Sequence, residues 1–206
     1  MARRIRLAGL GALVALSLAS CAHPGSPVRH ADGAGPLASL DTPGHEMAGA
    51  DPAAEGSPTT WTYGMRLCLS HDSAPVVISA VGPGAAVGDG FRFLGASVRV
   101  FTPSPDHLGL ISFPGWPPPP SLVPDALSDP AGFKVTTPCS DDYAVPYTEL
   151  LIGLGIASAA GGGWHGIEVS YTADGQPYVL LIDHDLYICG SSVAAQCAGQ
   201  TPSTSP

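Results

Sequence analysis

Three neighbouring residues of this 206-residue chain, Ser70-His71-Asp72, are the residue types of a hydrolytic triad. Triad members must converge in space, however, whereas adjacent residues of a strand point to opposite faces. The Gly-x-Ser-x-Gly signature of a nucleophile elbow is also absent from the sequence. We therefore predict a protein that is not an enzyme and assign no catalytic residues, with a cell-envelope hydrolase as one alternative.

A second group of residues that could carry out chemistry is Asp183-His184-Asp185, which falls at the end of a predicted strand. Strand alternation would put both carboxylates on one face and the imidazole on the other. Two acids on one face could hold Ca²⁺ or raise the pKa of one carboxyl group. Calcium needs further oxygen ligands that the sequence does not identify, so we expect a solvated strand end.

A third group, His45-Glu46-Met47, lies in a stretch rich in proline, glycine and alanine. Imidazole and thioether are the softer ligands that favour copper, and His184 could add another. The stretch is similar to the His- and Met-containing tethers of some exported copper-handling proteins. Metal capture by His45, Met47 and His184 is thus an alternative function. A single methionine is a weak signal, so we assign no cofactor.

Two tryptophans are candidate partner-binding residues. Trp116 precedes four prolines, which favour the polyproline II conformation that aromatic grooves recognise. Trp164 follows three glycines and could line a sugar or peptide surface. The alternatives are a stiff surface loop pinned by Trp116, and core or rim packing of Trp164.

The start of the chain resembles an export signal. Three arginines precede Leu7–Ser20, an uncharged run that as a helix would rise only about 21 Å, too short to span a bilayer. Leu18-Ala19-Ser20-Cys21 resembles the lipobox of bacterial lipoproteins. This resemblance implies removal of residues 1–20 and acylation of Cys21, and hence an exported protein anchored on the outer face of the cytoplasmic membrane.

The charge balance indicates which partners to expect. The formal charge of −9 becomes −12 if residues 1–20 are removed, because three arginines and no acids are lost. Nucleic acids require clusters of lysine and arginine, so this acidic chain is not expected to bind them. The expected partners are the membrane, through Cys21, and another envelope protein.

The remaining four cysteines are an even number in a chain with an export signal, which predicts two disulfides. Three pairings are possible. We favour Cys68 with Cys139 and Cys189 with Cys197, because the second pair closes a short loop.

The composition divides the mature chain into three parts. Residues 21–60 are predicted to form a disordered tether behind Cys21, residues 61–190 one domain, and residues 191–206 a flexible tail. Within the domain, alternating residues 165–172, Asp174-Gly175 and the run 177–189 predict a hairpin. The other strand candidates are 65–69, 76–81, 91–101, 108–113, 133–137 and 147–154. Seven or eight short strands predict an all-β, immunoglobulin-like sandwich.

The domain resembles small lipoproteins and exported proteins of high-GC Gram-positive bacteria. The residues that carry this resemblance are Leu67-Cys68-Leu69, Val98–Phe101, Cys139, Glu149–Leu154, Gly166–Tyr171 and Leu186–Cys189. It implies a tethered β-domain acting as a binding or interaction module, and it supplies no catalytic residues.

Overall fold

A computed structural model describes residues 25–40, 44–48 (backbone only), 59–70, 73–104, 109, 112–126, 129–142 and 144–198. The described residues form two β-sheets and very little helix. Their strands are β1 Val28–Ala31, β2 Leu37–Ser39, β3 Gly44–Ala48, β4 Thr60–Leu69, β5 Val76–Val87, β6 Phe91–Phe101, β7 Phe113–Pro114, β8 Lys134–Val135, β9 Tyr147–Ile156, β10 Gly162–Ala173, β11 Gln176–Ile182 and β12 His184–Ile188. The structure thus confirms the all-β class and the two-sheet sandwich.

The seven-stranded sheet is built around β10. On one side β10 pairs with β5, and on the other side it pairs first with β12 and then with β11. The turn between β10 and β11 is the predicted Asp174-Gly175, with φ of 48° and 77°, the left-handed conformation that this dipeptide tolerates. The predicted hairpin is confirmed. Ile167, Val169 and Tyr171 share its buried face as expected, because alternate residues of a strand point the same way.

The five-stranded sheet has the order β2-β4-β9-β6, with β7 paired to β4. Its inner face packs against the seven-stranded sheet and forms the main hydrophobic core. In β9 the inward positions are Leu150, Ile152 and Leu154, which are at most 4 % exposed. The intervening residues of β9 must therefore face outward, away from the core.

Three strands fall in the segment that the composition assigned to a disordered tether. β1 and β3 pair in parallel with β11 and β12, and β2 pairs with β4. The disorder prediction is wrong for these strands. Backbone pairing to an existing sheet edge needs few apolar side chains, and Leu37 and Ala38 of β2 supply buried ones. These three strands, and the division of the predicted segment 177–189 into β11 and β12, take the strand number of the described residues beyond seven or eight.

The C-terminal tail is also partly ordered. Ser191–Val193 form a 3₁₀ turn and Ala194–Cys197 a short helix, α1, so the flexible-tail prediction is wrong for these residues. Val193 is fully buried and packs with Tyr187 on the outer side of the seven-stranded sheet. Both predicted disulfides, Cys68–Cys139 and Cys189–Cys197, are confirmed, and the second fastens this turn to the end of β12.

Candidate binding site

The outer face of the five-stranded sheet is covered by residues 112–126, here called the proline-rich cover. Its β7 strand pairs with the start of β4. The backbone N–H of Gly115 donates to the carbonyl of Thr60 at 2.7 Å, and the Thr62 hydroxyl donates to the carbonyl of Gly115 at 2.7 Å. Val123, farther along the cover, is only 3 % exposed. The cover therefore acts as a third layer over this sheet.

Trp116 fixes the cover to the sheet. Its indole lies against Gly153 of β9 so closely that a Cβ atom at Gly153 would overlap the ring, and a Cβ at Gly95 of β6 would lie 3.5 Å from it. Glycine is needed at Gly153 because any side chain would occupy the space of the indole. The structure supports the pinned-loop interpretation of Trp116.

The same outer face carries three charged residues, Arg66, Glu149 and Arg99, here called the charged row, and Arg99 shares a cavity wall with the cover. Cross-strand pairing places Glu149 of β9 between Arg66 of β4 and Arg99 of β6. All three face away from the core, yet they are 5 %, 0 % and 4 % exposed. Arg99 Nε donates to Glu149 Oε2 at 2.5 Å. The row thus places two guanidinium groups and one carboxylate side by side, largely out of contact with water.

Arg99 has hydrogen-bonding capacity left over. Among the described residues, its Nη2 atom is buried and has no hydrogen-bond partner. The guanidinium lies over the ring of Phe101, with Cζ 4.9 Å from the ring centre. A buried donor without a partner is costly, and most native proteins avoid it.

A cavity adjoins this arginine. The Arg99 cavity has a volume of about 200 Å³ and is lined by Arg99, Val100, Phe101, Thr102, Leu122, Pro124 and Asp125. A second cavity of about 140 Å³ lies beside Trp116 and shares Asp125 with the first. Pockets for drug-sized ligands hold roughly 300–1,000 Å³. The volume of the Arg99 cavity suits a small molecule or a single side chain of a partner.

Of the two tryptophans, only Trp116 belongs to this site. Trp164 is 3 % exposed and packs in the main core, with its ring centroid 4.5 Å from that of Phe91 and 5.8 Å from that of Phe93. The prediction that Trp164 binds a partner is wrong, because its indole is buried in the core and leaves no surface for a partner.

His184 is the only one of the three proposed metal ligands whose side chain the structure describes, and a tyrosine engages it. His184 Nε2 is 2.8 Å from the Tyr63 hydroxyl and its ring stacks on that phenol, while its Nδ1 is buried. His45 and Met47 lie in β3 opposite Asp185 and Tyr187 of β12, but their side chains lie outside the described residues. Within the described part of the chain, no three His, Cys, Asp or Glu side chains are grouped to hold a metal ion. Cys21 and the His71-Asp72 pair also lie outside it.

A second polar cluster, which the sequence did not reveal, lies on the outer face of the seven-stranded sheet. His165 Nδ1 is 3.0 Å from Asp185 Oδ2, and the Tyr187 hydroxyl is 2.9 Å from both atoms. The backbone N–H of Gly166 donates to Asp185 Oδ1 at 3.1 Å. Asp185 is therefore engaged within the sheet, whereas Asp183 is exposed between β11 and β12.

In this second polar cluster, the hydroxyl group of Tyr187 has a raised pKa. Burial, together with the hydrogen bond to Asp185 and the charge of Asp185, raises the pKa of Tyr187 to about 12. An imidazole oriented by a carboxylate can act as a base. Among the described residues, however, no serine, threonine or cysteine hydrogen-bonds to His165.

No protein-family model matches this chain, and no curated protein sequence matches it. Among the described residues, no helix is both long and apolar enough to cross a membrane. The geometry of the site is accordingly the basis for the functional proposal that follows.

Proposed function

We propose that the protein is an exported lipoprotein, held at the outer face of the cytoplasmic membrane by acylated Cys21, whose β-sandwich binds a ligand or an envelope partner without transforming it chemically. The observation that carries the binding function is the Arg99 cavity, whose wall combines the polar residues Arg99, Thr102 and Asp125 with apolar side chains. Binding proteins use such groups to orient a polar ligand within an otherwise apolar pocket.

The rigidity of the site supports a binding function over a spacer. The cavity lies between a sheet of paired strands and a cover fixed by Trp116 and by the hydrogen bonds of Gly115. Sites held on such elements lose little conformational entropy on binding, so more of the contact energy becomes affinity.

The anchor is tested by replacing Cys21 with Ser in the producing cells. The unacylated protein should leave the membrane fraction and appear in the medium with its disulfides intact, because the fold described does not include residue 21. The wild-type chain, expressed in parallel, should stay with membranes. Retention of the Cys21→Ser protein in the membrane fraction would count against the anchor.

The binding function is tested by photo-crosslinking in cells. A photoreactive residue at Leu122, which is 47 % exposed and lines the Arg99 cavity, should capture a reproducible partner or ligand. The matched control is Leu181, which is 40 % exposed and lies in β11 of the other sheet. Equal capture at both positions, or none at either, would contradict a binding site at the cavity.

One observation keeps metal capture as a second candidate. Strand pairing places the backbone positions of His45 and Met47 beside Asp185 and Tyr187, the acid and phenol of the second polar cluster. We expect Cu(I) affinity of the full-length protein to fall in a His45→Ala/Met47→Ala variant and to persist in His184→Ala, whose imidazole is used by Tyr63. Equal Cu(I) titrations for all three proteins would remove this candidate.

A further inference from the structure

We propose that His165 and His45 bind a divalent transition-metal ion, with Zn²⁺ as the probe, on the outer face of the seven-stranded sheet. Asp185 is the positioning residue, because it holds the proton of His165 on the nitrogen that faces away from the ion. This site is separate from the Arg99 cavity and so goes beyond the proposed binding function. It also uses His165, which metal capture by His45 and Met47 does not.

The hydrogen bonds of His165 determine which of its ring nitrogens is protonated. Asp185 Oδ2 lies 3.0 Å from His165 Nδ1 and also accepts a hydrogen bond from the Tyr187 hydroxyl at 2.9 Å. A carboxylate oxygen can only accept, so Nδ1 must be the donor. A neutral imidazole carries one proton, and Nε2 therefore keeps its lone pair.

His165 Nε2 is available to a metal ion. The side chain of His165 is 52 % exposed, and among the described residues its hydrogen-bond partners, Asp185 and Tyr187, both contact Nδ1. Metal-binding histidines almost always donate their other N–H to a carboxylate, a carbonyl or water, which fixes the ring and makes the ligating nitrogen more basic. His165 and Asp185 form such a pair.

Strand pairing brings a second histidine to the same face. In β3, the backbone of His45 is paired in parallel with that of Asp185 in β12. Paired positions of neighbouring strands share a face, so the positions of His165, Asp185 and His45 form a row across three strands. The outer two positions are two strand spacings apart, or about 10 Å. Two histidine side chains, each with a metal–nitrogen bond of about 2.0–2.1 Å, are long enough to share one ion across that distance.

The residue types determine the class of ion. Imidazole nitrogen suits Zn²⁺, Cu²⁺ and Ni²⁺, whereas Ca²⁺ and Mg²⁺ require several oxygen ligands. The sequences of β3, β10 and β12 contain no lysine or arginine, so no cationic side chain of these strands repels the ion. Two protein ligands leave the other coordination positions to water, as in open rather than closed zinc sites.

The test is a Zn²⁺ titration of the full-length protein in competition with a chromophoric chelator. His165→Ala and His45→Ala should each weaken Zn²⁺ binding by at least about tenfold, since loss of even an outer-shell partner costs roughly 10–100-fold. His30→Gln is the matched control, because both ring nitrogens of His30 are engaged by Ala31 and Tyr171. No Zn²⁺ binding by the unaltered protein, unchanged affinity in either alanine variant, or an equal loss in His30→Gln would overturn the proposal.

The positioning role of Asp185 is tested with Asp185→Asn. An amide can donate to Nδ1, which lets the His165 proton move to Nε2 and removes the lone pair that binds the ion. Zn²⁺ affinity should fall by about tenfold or more, and the ring-nitrogen NMR signals of His165 should report the moved proton. A merely structural role would leave the proton on Nδ1, and that result would overturn the positioning role.

The variant Met47→Ala separates this site from Cu(I) capture. Zinc sites use imidazole, thiolate and carboxylate rather than thioether, so Zn²⁺ affinity should be unchanged in this variant. A loss of Zn²⁺ affinity as large as that of His165→Ala would overturn the assignment of the two imidazoles as the ligands. If Zn²⁺ does not bind but the photoreactive residue at Leu122 captures a partner, the metal site is wrong and the proposed binding function stands.

Discussion

The indole of Trp116 occupies the space that a side chain at Gly153 would need, so the proline-rich cover and strand β9 fit together only with glycine at that position. Gly115, the residue before the indole, is held to β4 by its carbonyl and its N–H. The same cover supplies Leu122 and Asp125 to the wall of the Arg99 cavity, so this contact also fixes part of that wall.

Replacing Gly153 with Ala should displace Trp116 and loosen the cover. We expect the free energy of unfolding to fall by about 1–3 kcal/mol, the usual cost of overpacking, and the tryptophan fluorescence to shift to the red. Gly82→Ala is the matched control, because a Cβ atom on that β5 glycine meets nothing within 4 Å. Denaturant unfolding of both variants measures the difference, and equal stabilities would contradict the close contact.

The order of charges in the charged row predicts unequal effects of removing them. Glu149→Gln removes the carboxylate that pairs with Arg99 and lies opposite Arg66, and it should destabilise the protein by about 3–5 kcal/mol. Arg99→Met still leaves Glu149 beside Arg66 and should cost less. Chemical denaturation of the two variants gives the comparison, and a larger loss for Arg99→Met would show that Arg66 does not share the carboxylate.

Two buried phenols predict a loss of stability in alkali. Burial is the main cause that raises the pKa of both Tyr171 and Tyr187 from 10.0 to about 12. These groups ionise in the unfolded chain before they ionise in the folded one. Stability is therefore fully present below pH 10 and falls as the pH rises from 10 towards 12.

The alkaline loss is measured from unfolding curves at several pH values, with phenolate absorbance recorded in parallel. Tyr187→Phe removes one of the two groups, so the slope of stability against pH above 10 should become shallower. An unchanged slope in that variant would mean that Tyr187 ionises alike in the folded and unfolded protein.

The two disulfides should contribute unequally to stability. Cys68–Cys139 joins residues 71 positions apart, and Cys189–Cys197 joins residues 8 apart. By loop-closure entropy, replacing the first pair with serines should cost about 4 kcal/mol and the second about 2–3 kcal/mol. Thermal or denaturant unfolding of the two double variants tests this order. The second variant should also expose Val193, which the C-terminal turn keeps buried.

Local sequence signals predicted much of the sheet structure. Strand β6 coincides with the predicted 91–101, and Asp174-Gly175 forms the predicted turn, because both depend on alternation and turn chemistry within a few residues. The predicted 133–137 shrinks to Lys134–Val135, and of 108–113 only Phe113 lies in a described strand. These segments pair through only two residues each, too few to produce a clear pattern.

The candidate site could not be predicted from local sequence patterns. Each residue of the charged row sits at an outward position of its strand, where a charged side chain normally meets water. Nothing local to Arg66, Glu149 or Arg99 indicates that residues distant in the sequence bury them, as the proline-rich cover does beside Arg99. The sequence did contain one relevant signal, a tryptophan at 116 and glycines in β9. Glycines in a strand allow an aromatic ring to pack closely on the outer face of the sheet.

The pairing of β1 with β11 changes how the protein would stand on a membrane. A disordered tether of 39 residues, 22 to 60, would have a root-mean-square span of about 31–37 Å, so the sandwich could lie at that distance from the bilayer. With β1 fixed in the sheet, only seven peptide links separate Cys21 from Val28, a reach of at most about 25 Å. An acyl chain on Cys21 would then hold the β1 edge of the seven-stranded sheet next to the lipid surface. The short link to the lipid would therefore keep one side of the domain, the β1 edge, facing the membrane.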